Sequence, residues 1–137
     1  AADTALRASR DAAAREALLS RALEPYRVDV RWHAPRRQID LRGAAEVVRL
    51  LLAEIAAMLE PRVTLLRRTA GVDQRIDEFV VRFIYSGAGI DNAGLAAGDL
   101  VELERLRIVR LKDGSICSET CIETWSILSA ARMAPRV

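Results

Sequence analysis

One stretch decides the fold: Leu100-Val101-Glu102-Leu103-Glu104-Arg105-Leu106-Arg107-Ile108-Val109-Arg110-Leu111, then Lys112-Asp113-Gly114-Ser115, then Ile116-Cys117-Ser118-Glu119-Thr120-Cys121-Ile122-Glu123-Thr124-Trp125-Ser126-Ile127-Leu128. Apolar and charged residues alternate along the first arm, the period of a strand covered on one face. Asp-Gly between two such arms is the strongest short-range hairpin signal. The stretch from Asp99 to Leu128 therefore predicts two long antiparallel strands on a tight turn. On the first arm, Glu102 and Glu104 share a face with Leu100, Leu106 and Ile108, while Arg105 and Arg107 stand opposite. Cross-strand ion pairing with Arg82 or Arg110 accounts for such glutamates. On the second arm, Cys117, Glu119, Cys121, Glu123, Trp125 and Ile127 point one way, and Ile116, Ser118, Thr120, Ile122, Thr124, Ser126 and Leu128 the other. Carboxylates on a face shared with cysteine and tryptophan are costly to bury unless paired, protonated or facing a wet cavity. Glu119, near the turn, is expected in solvent; Glu123, beside Trp125, is the better candidate for a pocket.

Working outward, Ser86 to Gly98 holds four glycines and reads as an irregular loop able to lie over a cavity mouth. Ile76 to Tyr85 and Val63 to Thr69 read as strands joined by the turn Gly71-Val72-Asp73-Gln74. Before them, Gly43 opens a helix ending near Leu59, with Val47, Val48, Leu51, Leu52, Ile55 and Met58 as its apolar stripe. Arg36 to Leu41 reads as a loop, and Tyr26 to His33 as a short alternating strand ended by Pro35. Asp3 to about Ala22 is an alanine-rich amphipathic helix. The tail from Ser129 to Val137 is expected to be ragged. Helices first and a run of strands later predict a single α+β domain over residues 1–137, its curved antiparallel sheet wrapped around the N-terminal helices.

Composition narrows the function classes. With 21 basic against 19 acidic residues and no basic stripe, nucleic acid is a poor partner. No apolar run approaches the roughly 20 residues that span a bilayer, so no membrane association is expected. The polar opening resembles a helix start more than an export signal, and a cytoplasmic location is expected. Cys117 and Cys121, on one face of one strand, lie about 13 Å apart at a strand's rise per residue, too far to bridge each other. One histidine and two cysteines make no convincing zinc set, and Gly87-Ala88-Gly89 lacks the lysine and helix of a phosphate loop. No cofactor and no metal are expected.

Several pieces, in order, carry a family resemblance. Tyr26 to Pro35 looks like an early strand ending just before proline. Gly43 looks like a "G-x-x-x-hydrophobic" helix start, Lys112-Asp113-Gly114-Ser115-Ile116 is similar to a "D-G-K-I" hairpin, and Glu123-Thr124-Trp125 to an "E-x-W". Over about Leu6 to Leu128 the chain resembles the nuclear-transport-factor-2-like (NTF2-like) superfamily, especially its SnoaL-like polyketide cyclase and ketosteroid-isomerase-like branches. The resemblance implies a cystatin-like cone fold and a pocket carboxylate that moves a proton next to a carbonyl. In the isomerase branch an aspartate precedes the proline, where this chain has His33-Ala34-Pro35; in the SnoaL-like pattern an aspartate often follows the tryptophan, where this chain has Ser126.

The candidate catalytic set is therefore His33 as base, Glu123 or Glu104 as acid or orienting group, and Tyr85 as donor, with Trp32, Phe83, Trp125 and Cys121 as pocket wall. His33 titrates near neutrality, which suits acid/base work, although the end of a strand equally suits a loop anchor. Tyr85 continues the Phe79-Val81-Phe83 face and serves core packing as well. Two functions from different classes follow. One is a cofactor-independent enzyme (isomerase, cyclase, dehydratase or epoxide-opening type) acting on a hydrophobic small molecule. The other is a non-catalytic small-molecule-binding or dimerisation module. A homodimer through the sheet is compatible with both. An open pocket of a few hundred Å³ with convergent titratable groups would favour the enzyme; a cone plugged by Trp32, Phe79, Phe83 and Trp125 would favour the module.

Overall fold

The structure, a computed structural model, describes residues 2–131. Its centre is the expected hairpin. Leu100–Lys112 (β5) and Ser115–Ser129 (β6) pair antiparallel around Asp113 and Gly114, both with positive φ (52° and 78°). That backbone matches the right-handed twist of the flanking strands, and a glycine accepts its second position without strain.

The remaining elements are Ala2–Ala22 (α1), Tyr26–Ala34 (β1), a 3₁₀ turn at Pro35–Arg37, Ile39–Arg42 (β2), Ala44–Ala57 (α2), Met58–Ala70 (β3) and Gln74–Tyr85 (β4). Strand order across the single curled sheet is β2-β1-β6-β5-β4-β3. The segment expected as a loop from Arg36 to Leu41 instead forms the 3₁₀ turn and then β2, which pairs antiparallel with β1 as Arg31–Arg42 and Ala34–Ile39. The sheet is also not wholly antiparallel, because β1 lies parallel to β6, with Trp32 beside Glu119 and His33 beside Thr120. Helix α2 ends sooner than its apolar stripe suggests, since Met58 is already extended backbone at the head of β3. Of the tail, residues 132–137 lie outside the described residues.

Gly43 starts α2 at φ 100°, its N–H donating to the Val30 carbonyl at 2.8 Å. That conformation favours glycine and turns the chain from the sheet edge into the helix. Both helices lie on one face of the sheet. Their buried residues, Leu18 and Ala22 from α1 and Val47, Leu51 and Ile55 from α2, meet Val30, Trp32, Phe79, Val81, Phe83, Val101 and Leu103 from the strands. The result is a cone whose inner wall is the sheet and whose cover is the helix pair.

Candidate functional site

The inner wall of the cone is not purely apolar. By the period of two, β5 turns Val101, Leu103, Arg105, Arg107 and Val109 inward, and β4 turns Asp77, Phe79, Val81, Phe83 and Tyr85 inward. On β6, Glu119, Cys121 and Glu123 face in, and a register shift at Arg110/Leu111 brings Ile116 inward as well, against the simple alternation expected for it. Registered neighbours on this face include Phe79 with Arg105, Arg105 with Glu123, and Asp77 with Arg107.

Two ionic sets result. In the first, Glu123 accepts from Arg37 (Nε at 2.8 Å, Nη2 at 3.1 Å) and from Arg105 through both Nε (2.8 Å) and Nη2. Glu54, on α2, closes it: its Oε1 lies 2.8 Å from Arg37 and its Oε2 3.1 Å from Arg105. The Arg37 guanidinium lies over the Trp125 ring at 4.9 Å, and Trp125 meets Phe83 edge-on. In the second set, Glu119 accepts from Tyr26 Oη at 2.8 Å, Trp32 Nε1 at 2.9 Å and both arms of Arg107 at 2.9 and 3.0 Å. Arg107 also reaches Glu24 and Asp77, which in turn hold Arg75 and Arg68.

Burial alone would raise the pKa of each glutamate on β6, but the arginines more than offset it. Arg107, with Tyr26 and Trp32, holds Glu119 below the ordinary carboxylate range, and Arg105 with Arg37 does the same to Glu123. Arg105 and Arg107 are themselves buried yet held more firmly protonated than in water, chiefly by Glu123 and Glu119 respectively. Burial and the neighbouring Glu119 charge push the Cys121 thiol up, so it sits in the wall as an inert small group.

Between helices and sheet lies a cavity of about 30 Å³, walled by Leu18, Leu51, Ile55, Phe79, Val81 and Leu103 and by the polar groups of Arg21, Glu54, Arg105, Arg107 and Glu119. It is far below the few hundred Å³ of an open ligand pocket. The far end of the cone is closed by the loop 86–98. Ile90 packs inward, and its carbonyl accepts from the Tyr85 hydroxyl at 3.3 Å. Asn92 donates to the Arg37 carbonyl at 2.9 Å.

No family model matches this sequence, and no curated protein matches it at a significant level. Solved structures do. A putative SnoaL-like polyketide cyclase from Jannaschia sp. CCS1 superposes with a TM-score of 0.61 at 12 % identity, covering 80 % of this chain and 71 % of the other. AclR, a putative hydroxylase from Streptomyces galilaeus, gives 0.57 at 15 % identity, covering 82 % and 90 %. A Catenulispora acidiphila protein with a ketosteroid-isomerase-like fold, in complex with trimethylamine, gives 0.55 at 14 % identity, covering 77 % and 72 %. The chain has the NTF2-like fold.

Within this NTF2-like cone the sequence-predicted residues separate. Glu123 and Tyr85 lie inside, as do the predicted wall residues Trp32, Phe83 and Cys121, with Trp125 half-buried beside them. His33 and Glu104 are not brought to the same place. His33 alternates with the buried Trp32 and Ala34 and so faces outward, between Asp40 and Thr120 on the flanking strands. Glu104 is exposed on the convex face, in a hollow shared with Arg36, Glu78, Leu106 and Ile122. Glu119, expected in solvent, is 1 % exposed because Tyr26, Trp32 and Arg107 converge on it. The Arg82–Glu102 pair expected on the outer face is present at 2.9 Å.

The residues that sequence reasoning passed over are Glu54, Arg37, Arg105 and Arg107. Glu54 carried a signal: it is the one acid on the helix stripe of Val47, Leu51, Ile55 and Met58. Arg105 and Arg107 fall in phase with Val101, Leu103 and Val109, which placed them inside. Arg37 follows a proline in an irregular segment and carried no periodic signal. Among the described residues no cluster of three His, Cys, Asp or Glu side chains is arranged to hold a metal ion.

Proposed function

We propose that this protein is a cofactor-independent acid/base enzyme for a small molecule bound in the cone. In this reading Glu54 is the proton-transferring carboxylate, and Arg105 stabilises developing negative charge. The observation that carries it is the unequal saturation of the buried carboxylates bordering the cavity. Glu119 borders the cavity too, but both its oxygens are fully engaged by hydrogen-bond donors. Glu54 Oε1, by contrast, is buried beside Arg37 without a well-formed hydrogen bond. A carboxylate with a spare lone pair, set against an apolar wall and next to a fixed guanidinium, is equipped to take a proton from a carbon beside a carbonyl. Arg105 would then stabilise the enolate oxygen, and the proton would return at another carbon or a leaving group would depart. Glu123 and Arg37 act as positioning residues that hold Arg105 and Glu54 in place.

Entry requires the cover to move. Helix α1 commits only Ala14, Leu18 and Ala22 to the buried interior, so displacing it enlarges the cavity at small cost in buried area. The test is hydrogen–deuterium exchange at the α-carbon of small ketones, enones and oxo acids, followed by NMR in D₂O. Wild-type protein should accelerate exchange for its ligand class, and Glu54→Gln should lose at least about 100-fold of that rate, in line with removal of a positioned general base, with its circular dichroism unchanged. Retention of full activity by Glu54→Gln would refute the assignment.

The small cavity, with Phe79 in its wall and Trp32 and Phe83 filling the core beyond it, favours a second reading: a non-catalytic module that binds a ligand or a second copy without reacting. Ligands that bind wild-type protein with no accelerated exchange would select that reading. In either case we propose a homodimer through the convex sheet face, where Ile76, Val80, Ile84, Leu106, Ile108 and Ile122 form a half-buried apolar band.

A further inference from the structure

The charges around the inner wall of the cone form two ion-paired sets, most of their members buried. Arg37 and Arg105 are matched by Glu54 and Glu123, and Arg68, Arg75 and Arg107 by Glu24, Asp77 and Glu119. Arg21, on the last turn of α1, belongs to neither. Among the described residues no carboxylate oxygen lies within 4.0 Å of its guanidinium. Its Nη1 folds back onto the Ala17 carbonyl of its own helix at 3.1 Å, and its plane lies over the Phe79 ring at 4.6 Å. Its Nε is buried without any hydrogen-bond partner. The side chain borders the cavity, which Arg105, Arg107 and Glu119 border from the sheet side and Glu54 from α2, so three guanidinium groups face it against two carboxylates already paired with Arg37, Arg105 and Arg107. Burial, and next the Arg107 charge, disfavour the cation there, with only partial compensation from the more distant Asp77 and Glu24. A cation held in such a place with no directly paired anion is the electrostatic complement of one.

We infer that the cavity is an anion subsite: it takes one carboxylate group, hydrogen-bonded by Arg21 across from Arg105 and Arg107, and the molecule that enters the cone is a carboxylic acid rather than a neutral compound. Size agrees with this. A cavity of about 30 Å³ has room for about two water molecules, which suits a carboxylate head but not a ring. The bland account of Arg21, a cation capping its own helix C-terminus, explains Nη1 but leaves Nε and the cavity unexplained.

The same chemistry has two sources, a free small anion or the head group of a larger acid. Titration of the full chain with ¹³C-labelled formate, acetate, butyrate and benzoate, read by NMR line broadening and calorimetry, separates them. Acetamide and benzamide are the neutral controls. Wild-type protein should bind at least one acid saturably and neither amide. Arg21→Gln should weaken that acid by about tenfold or more, and Arg21→Lys by less. Comparable binding of formate and acetate identifies a free anion; binding confined to butyrate or benzoate identifies a larger acid. Failure of all four acids to bind, equal binding of acid and amide, or equal affinity in wild type and Arg21→Gln would overturn the inference. Should Arg21→Gln not fold, Arg21→Lys and the amide controls still decide it. The inference rests on the proposed use of this cavity, but the two fail separately. Proton exchange lost in Glu54→Gln with no acid bound keeps the chemistry and removes the subsite, and acid binding without exchange does the reverse.

Discussion

At the scale of single residues, this interior is governed by how completely each buried charge is satisfied. An isolated buried carboxylate would be protonated or would unfold its surroundings, and a pair missing one partner costs about 3–5 kcal/mol. Glu119 avoids both because its donors converge from two other strands: Tyr26 and Trp32 from β1 and Arg107 from β5, all around a β6 residue. Tyr26→Phe removes one donor and little volume, so it should lower unfolding free energy by about 1.5–3 kcal/mol at neutral pH, the usual worth of a hydrogen bond to a charged group. The pH dependence has a definite sign. Glu119 and Glu123 are held below the ordinary glutamate value of 4.5 in the folded state. Their stabilisation is complete above that value and is lost as pH falls through the lower folded values. Urea unfolding between neutral pH and pH 3 should show stability falling only in the acid part of the range. In Tyr26→Phe the fall should be smaller and end at higher pH, because folded-state Glu119 has lost a group that favours its charge. A pH-independent Tyr26→Phe penalty would contradict this account of Glu119.

Elements add a second level of control, because the two ends of the cone are closed by different means. The loop 86–98 is built in. Gly89 has φ 106° and its backbone approaches α2 so closely that a Cβ would lie 2.7 Å from the Ala53 carbonyl. Asp99 Oδ1 and Oδ2 accept the Ala131 and Ala96 N–H groups and secure the loop's end. Helix α1 is instead latched from outside. Arg15 donates to the Ile55 and Met58 carbonyls at the end of α2, and Asp11 pairs with Arg62 on β3. Its residues 3–10 are exposed on all sides. Arg15→Ala should therefore raise amide hydrogen exchange through α1 by about tenfold or more while β4, β5 and β6 keep wild-type protection, as expected for a local opening rather than global unfolding. Equal acceleration in helix and sheet would mean that α1 is not a separable cover.

For the whole molecule, the curled sheet puts charge inside and leaves an apolar band outside, the reverse of simple burial rules. The convex band around Leu106 and Ile122 is rimmed by Glu78, Arg82, Glu102 and Arg110, so two copies packed face to face can pair charges around an apolar centre. Under the proposed dimer, Ile122→Lys should convert the species seen by light scattering from dimer to monomer, with little change in the urea midpoint of the monomer fold. A wild-type monomer at every concentration tested would reject the dimer.

The family resemblance implied the cone fold; the sequence alone determined the hairpin, both helices, every strand but β2, and the sheet face shared by Glu119, Cys121, Glu123 and Trp125. Those follow from local signals: a period of two or 3.6, Asp-Gly at the turn, and glycine or proline at the ends of elements. It left open which face of each strand would be the inside. The same alternation that set Arg105 and Arg107 opposite Glu102 and Glu104 describes a strand with its arginines in solvent equally well. Only tertiary structure decided it, because what makes burying Arg105 tolerable is Glu54 from α2 and Glu123 from β6, residues 51 and 18 positions away. The placement of β1 parallel to β6 likewise set Trp32 against Glu119 and turned His33 outward. Charge compensation is a property of the assembled cone, and no local pattern encodes it.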